Sequence, residues 1–325
     1  MENRSPRCSI VIRSYNEEED IGRLLTGVLE QTVDELEIIL VDSGSTDATV
    51  AIASHFPVHI LNIVPEEFSF GHSLNVGCAA ATGEFIVISS AHVYPVYKDW
   101  LEKLLEPFSD PQVALVYGRQ RGNQHTKFSE HQIFASWFPS KSIPRQSHPF
   151  CNNANAAIRQ MLWEEHPYNE TLPALEDLDW ATWAMDNGYH ISYASEAEII
   201  HVHNEAPGDV FNRYRREAMG MNRLRLHEKF HWWDFLRLYL SNVISDCWYA
   251  TKESNIAKEF WGILWFRLMQ FWGTYRGYAM AGPLTSQLRR TFYYPRLRTF
   301  SAESNKRSKD PIDYSLDPTR HERGS

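Results

Sequence analysis

The N-terminal part of the chain alternates short apolar runs with amphipathic stretches. Residues 8–13 (CSIVIR) are a short apolar run and predict a buried strand, and residues 14–17 (SYNE) predict the loop after it. From residue 20 to 31 the apolar positions Ile21, Leu24, Leu25, Val28 and Leu29 recur at helical spacing. Residues 37–41 (EIILV) predict a second strand that ends at Asp42. Turn chemistry follows at residues 43–47 (SGSTD), and Thr46 or Asp47 is placed to cap a helix running to about Phe56. Residues 58–64 predict a third strand, 73–81 a small-residue helix with Gly83 as its closing glycine, and 85–89 (FIVIS) a fourth strand. These strands are continuous apolar runs, not alternating ones. Strands buried on both faces and separated by helices predict a mostly parallel sheet covered on both sides, an α/β fold.

Residues 99–108 predict a helix and 113–117 (VALVY) a strand that leads into Gly118, Arg119 and Gln120. Residues 121–150, rich in His, Gln, Ser and Pro, show no periodicity and predict an irregular stretch. A strand is expected at 154–158, a short helix at 160–165, a helix at 177–187 closed by Gly188, and strands at 191–195 and 198–202. Residues 209–294 show helical spacing with few turn signals, and 306–325 are polar and aperiodic, as in a disordered tail. The expected organisation is an α/β domain over 1–210, a helical segment over 211–300 and a tail over 301–325.

Charge sharpens that division. Residues 1–210 hold 12 basic and 30 acidic side chains, a net of −18, whereas 211–300 hold 15 basic and 6 acidic, a net of +9. The acidic part argues against a nucleic-acid binder. Six of the eleven tryptophans lie in the basic part: Trp232, Trp233, Trp248, Trp261, Trp265 and Trp272. Trp261, Leu264, Trp265, Leu268 and Trp272 share one helical face. That face suits packing against the first domain, an oligomer interface, or a platform at a membrane surface. The longest apolar stretch, residues 260–272, is short and interrupted by Arg267, so a membrane-spanning helix is not expected. The N-terminus has no apolar stretch of signal-peptide length, and Cys8, Cys78, Cys151 and Cys247 are far apart. A reducing cytoplasm, at most the inner face of the cell membrane, is the expected compartment.

Open α/β sheets bind ligands at the carboxyl ends of their strands, which here carry Ser14–Glu17, Asp42–Gly44, Ser90–His92 and Gly118–Gln120. G-x-G-x-x-G and the phosphate-loop pattern are both absent, which counts against a dinucleotide dehydrogenase and a P-loop nucleotidase. Asp42 suits either a hydrogen bond to a nucleoside or a turn cap. His201 and His203 lie two apart on a strand end, hence about 7 Å apart on one face, and suit a metal or a diphosphate, or simply solvent. Glu176, Asp177 and Asp179 place three carboxylates at a helix N-terminus, where the dipole favours their ionised forms whether they cap or catalyse.

In combination, residues 9–17 (SIVIRSYNE), 39–49 (ILVDSGSTDAT), 70–75 (FGHSLN), 116–120 (VYGRQ), 152–155 (NNAN) and 175–180 (LEDLDW) resemble the family 2 glycosyltransferases of GT-A fold. The likeness is strongest to the bacterial rhamnosyltransferase-like branch and covers residues 8–205. It implies an inverting transfer of a hexose or deoxyhexose such as rhamnose. The donor would be a dTDP- or UDP-linked sugar, and the acceptor a hydroxyl on a glycan or lipid-linked molecule. It assigns Asp177 as general base with Glu176 and Asp179 beside it. Tyr15, Glu17, Asp42 and Asp47 fall on the nucleoside side, and His72 and Asn75 support the donor loop. Ser90 and His92 face the diphosphate, and Asn153 and Trp180 face the acceptor. The family's Asp-x-Asp motif, which holds Mg²⁺ or Mn²⁺, is replaced here by Ser90-Ala91-His92. With His201 and His203, His92 therefore either binds a softer cation, contacts the diphosphate directly, or marks a binding protein that has lost metal-dependent catalysis.

Overall fold

The computed structural model describes residues 7–33, 36–64, 67–224, 229–279 and 311–314. The first half builds β1 (Cys8–Ser14), α1 (Ile21–Leu29), β2 (Leu36–Asp42), α2 (Thr49–Ala53), β3 (His59–Asn62), α3 (Phe70–Ala80) and β4 (Phe85–Ser90). Then come β5 (Val93–Pro95), α4 (Trp100–Leu105), β6 (Val113–Arg121), α5 (Phe128–Trp137), β7 (Asn155–Arg159), α6 (Gln160–Glu165), α7 (Glu176–Asp186) and β8 (His190–His201). Three long helices follow: α8 (Pro207–Leu224), α9 (Trp232–Lys252) and α10 (Ile256–Ala279).

The strands form one eight-stranded sheet in the order β3-β2-β1-β4-β7-β6-β8-β5. β1 to β4 pair in parallel, as their continuous apolar runs predict. β7 runs antiparallel to both β4 and β6, so β1, β4, β6 and β8 all point their carboxyl ends to one edge. The two sheet faces are buried under separate apolar clusters, one with Leu24, Leu25 and Trp100 on the helix side and one with Leu74, Phe138 and Trp180.

The structure departs from the sequence pattern in four places. The stretch read as irregular contains α5, whose buried face mixes Ser129, Glu130 and Gln132 with Ile133 and Phe134 and so shows little apolar periodicity. The two expected strands at 191–202 are one strand, β8, with a register shift opposite Gly118 and Arg119. Gly83 does not close α3 in a left-handed conformation: among the described residues, Gly44 and Gly188 are the glycines with positive φ. Gly83 instead lets the chain cross the Cys8–Ser9 backbone, where a Cβ would collide. Within the expected tail, residues 311–314 are placed: the Ile312 N–H donates to the Val96 carbonyl at 3.0 Å and Tyr314 meets the Tyr94 ring edge-on. The rest of that tail, and residues 280–300 of the helical segment, lie outside the described residues.

The C-terminal helices pack on the sheet domain. Leu178 of α7 joins Ala218, Met221, Phe235, Leu238 and Phe271 in one apolar cluster, and Ile133 of α5 joins Val210, Tyr214 and Phe266 in another. Gly273 and Gly277 bring α10 against the backbone of α8 at Phe211 and Arg215, where a Cβ would collide. This crossing fixes α8 over the sheet edge.

Candidate active site

The strands that point the same way end in one cleft of about 550 Å³. Arg13 from β1, Ser90 from β4, Gln120 from β6 and His201 from β8 all line it, and Glu176 and Asp177 enter from the start of α7. This is the edge at which an open α/β sheet leaves room for a ligand.

Asp177 is the second residue of α7. Leu175 precedes the helix in a left-handed conformation (φ 67°) and turns the chain into it. One oxygen of Asp177 accepts the Leu178 N–H at 2.8 Å and the other accepts the Asn153 N–H at 3.2 Å. Burial, with the charge of Glu176 second, pushes its pKa up to about 7, against the pull of those two N–H donors. Glu176 is buried and meets Arg13 at 3.4 Å. Asp179 is not among the residues lining the cleft, since two positions along a helix is more than half a turn. The Asn153 side chain is buried on the cleft wall, and neither atom of its amide has a hydrogen-bond partner.

Three histidines face one another at the end of β8. His92 leaves the β4–β5 turn, His201 ends β8, and His203 follows it. Their ring centroids lie 5.1 Å (92–201), 5.6 Å (92–203) and 4.1 Å (201–203) apart. One ring nitrogen of each lies within 4.8 Å of the other two. Their Nδ1 atoms meet Glu17, Gln120 and Glu130, each at 2.7 Å. Burial first, and the neighbouring cationic groups second, hold His201 and His203 well below the ordinary histidine pKa.

Arginines supply the positive charge of the cleft. Arg13 and Arg216 both lie over the Phe70 ring, at 4.9 and 5.0 Å from its centroid. Arg213 binds Glu130 at 2.9 Å and Glu205 at 2.6 Å. Sequence reasoning did not single out Arg13, Phe70, Glu130, Arg213 or Arg216. Arg13 was legible as the polar end of an apolar strand, but Glu130 lay in an unrecognised helix, and the arginines of α8 reach the cleft only through tertiary packing.

Several expected site residues make framework contacts and are not among the residues lining the cleft. Asp42 is buried and accepts hydrogen bonds from the Ser14 hydroxyl, the Gly44 and Ser45 N–H groups and the Ser45 hydroxyl, so it closes its own turn. Asp47 accepts from the Thr49 N–H and hydroxyl and from the Glu18 N–H, tying the β1 loop to the β2 loop. His72 meets Glu170 at 3.1 Å, and Asn75 holds the Tyr168 N–H and carbonyl and the Trp163 indole. Both therefore brace the 168–170 loop from α3. Trp180 is a correction: it is 1% exposed and donates its indole N–H to the His166 carbonyl, so it packs in the core and offers no stacking face. Tyr15 is 55% exposed and is not among the residues lining the cleft.

A mixed, mostly parallel sheet of this order, with a cleft at its strand ends, is the GT-A fold. Residues 9–166 match the family described as Glycosyl transferase family 2, and that part of the chain is a family 2 glycosyltransferase domain. The chain is 29% identical over 222 residues to the O-antigen chain rhamnosyltransferase RfbN of Salmonella typhimurium, covering 64% of this chain and 70% of that protein. It is 30% identical over 197 residues to the O-antigen chain rhamnosyltransferase WbaN of Salmonella anatum, covering 57% and 62%. The fold is similar to that of the mannosyltransferase PcManGT from Pyrobaculum calidifontis, solved with GDP-Man and Mn²⁺, with a TM-score of 0.59 at 19% identity over 86% of this chain and 87% of that one. It is also similar to S. aureus TarS 1-349, with a TM-score of 0.51 at 15% identity over 94% and 99%. The chain is a glycosyltransferase.

Proposed function

We propose that the chain transfers a hexose or deoxyhexose, rhamnose being favoured by the Salmonella relatives, from a dTDP- or UDP-linked donor to a hydroxyl of a glycan or lipid-linked acceptor in polysaccharide synthesis. The observation that carries this reading is Asp177, a carboxylate raised to about pKa 7 on the wall of a cleft that also holds cations. A base of that strength accepts a hydroxyl proton at neutral pH. The deprotonating acceptor oxygen bonds to the anomeric carbon as the bond to the diphosphate breaks on the opposite face, which inverts the configuration. The Asn153 and Leu178 N–H groups fix the carboxylate, and the unpartnered Asn153 amide is available to sugar hydroxyls. Arg13, Arg213 and Arg216 offset the charge of the departing diphosphate. A divalent cation at His92, His201 and His203, a donor set whose buried His201 Nε2 has no other partner, would add Lewis-acid stabilisation to that leaving group. Tyr15, exposed beside the cleft, offers a face to the nucleoside base. Asp177→Asn keeps the shape and removes the proton acceptor. In a screen of nucleotide sugars with the accepted donor, its kcat falls by about 10²–10⁴-fold while donor binding is retained. Near-normal turnover would sink this assignment.

The same reading places the acceptor at a lipid surface. No helix among the described residues is long and apolar enough to cross a membrane. Yet α9 leaves Trp233, Leu240, Ile244 and Trp248 exposed along one face, and α10 leaves Trp261 74% exposed. Exposed Arg237, Lys252 and Lys258 lie along the same helices. Tryptophan at the headgroup level flanked by basic side chains suits an anionic membrane interface.

A further inference from the structure

The orientation of the three imidazoles is fixed by groups that surround them. The Ala154 N–H can only donate, and it donates to Asn152 Oδ1 at 3.0 Å. That oxygen also accepts Gln120 Nε2 at 3.0 Å, so the carbonyl end of Gln120 is the end that faces His201 Nδ1. His201 therefore carries its proton on Nδ1, and its Nε2 is a lone pair, buried and without a hydrogen-bond partner. His92 and His203 present Nδ1 to carboxylate oxygens of Glu17 and Glu130, which accept and do not donate. Arg213 donates to the same Glu130 oxygen that His203 meets. All three rings are thus held at Nδ1, and one ring nitrogen of each lies within 4.8 Å of the other two. Imidazole nitrogens gathered this closely, one of them the buried and unpartnered His201 Nε2, suit a cation. Histidine rings braced at Nδ1 by carboxylate or carbonyl oxygens are the usual outer arrangement of a metal site.

We infer that His92, His201 and His203 form a three-imidazole site for a borderline divalent transition metal, of the Zn²⁺ or Co²⁺ kind, and not for Mg²⁺. Mg²⁺ takes oxygen ligands in octahedral array, and an all-nitrogen set offers it none, whereas affinity for imidazole rises from Mn²⁺ towards Co²⁺ and Zn²⁺. The use of this ion beside a donor diphosphate rests on the transfer reading above; its binding does not.

The test reads the metal directly. Full-length protein is stripped with a chelator and titrated with Co²⁺, and the visible d–d bands of the bound ion are followed, with Zn²⁺ affinity measured by competition against a chromogenic chelator. The expected result is one equivalent of Co²⁺, displaced by Zn²⁺ and not by excess Mg²⁺. His92→Ala, which alters a partly exposed turn, and His201→Ala each abolish the bands, with folding checked by circular dichroism. Gln120→Leu, which touches the site only through His201, weakens binding by about 10–100-fold. Wild-type protein that binds Co²⁺ no better than His92→Ala, or that releases it to Mg²⁺, overturns the inference. Metal binding as expected with no turnover of any nucleotide sugar would leave this site standing and remove the transfer reading instead.

Discussion

Asp177 is placed where its ionisation is costly, and that cost shapes both rate and stability. Its pKa of about 7 comes first from burial and then from Glu176. In the proposed transfer the ionised base is the working form, so kcat/KM of the wild type should climb with pH along a single ionisation near about 7 and level off above it. An acidic limb that lies at ordinary carboxylate pH would disprove the assignment of this pKa to the base. The stability effect has the opposite sense. The folded-state pKa lies above the value of 3.8 for a free aspartate, so the protonated carboxyl stabilises the fold at acid pH, and that contribution is lost as pH rises through about 7. Asp177→Asn should therefore melt at a higher temperature than wild type at about pH 8, with a smaller gain at about pH 5. Scanning calorimetry at the two pH values checks it; equal melting temperatures at both would show that the carboxylate is not strained.

At the scale of elements, α5 couples the C-terminal helices to the histidine cluster. Its Glu130 braces His203, and the residue before it, Ser129, donates its hydroxyl to Asp246 of α9 at 2.6 Å. Arg267 of α10 grips the same Asp246 carboxylate in a two-pronged contact at 2.7 and 2.9 Å, with both side chains under 5% exposed. A buried pair of this kind is expensive to break on one side, because the remaining charge stays in a dry site. Asp246→Ala should lower stability by about 3–5 kcal/mol in urea unfolding, and adding Arg267→Met to it should recover much of that loss. A single variant as stable as wild type would mean that solvent reaches Arg267. The pair also explains the arginine that interrupts the longest apolar stretch of the sequence: it is the inward anchor of α10.

At the scale of the molecule, charge and apolar exposure point the same way. The sheet domain is strongly acidic, and the region from residue 211 to 300 is basic and carries the exposed tryptophans. In the proposed arrangement an anionic bilayer would repel the first and attract the second, and so would orient the chain with α9 and α10 towards lipid. The full-length protein should float with vesicles containing anionic phospholipid at low salt and be released as salt shortens the screening length. Trp233→Ser with Trp248→Ser and Trp261→Ser should weaken flotation while leaving turnover on a water-soluble acceptor unchanged. Absence of flotation by folded wild-type protein would rule the platform out.

The local code was sufficient wherever an element is made by its own residues. The continuous apolar runs of β1, β2 and β4 announced a buried parallel sheet, Gly188 marked the end of α7, and the spacing of 175–180 located Asp177. The order of the motifs carried the fold and the general activity. What the sequence could not decide depends on contacts between distant segments. That Asp42 closes its own turn is visible only from the four donors around its carboxylate, and Trp180 was assigned to the core by the His166 carbonyl. α5 was hidden because its inward face is polar, and that polarity is explained only by partners just after β8 and on α8, α9 and α10. The three histidines show the division most clearly. His201 ends β8 and His203 follows it two residues on, but His92 joins them because β5 pairs with β8, and their Nδ1 atoms are held by Glu17, Gln120 and Glu130 from three other parts of the chain. Sequence spacing specifies which residue types are available on one element. Hydrogen-bond direction and burial are properties of the assembled surroundings, so the chemistry of this site was decided by the tertiary structure.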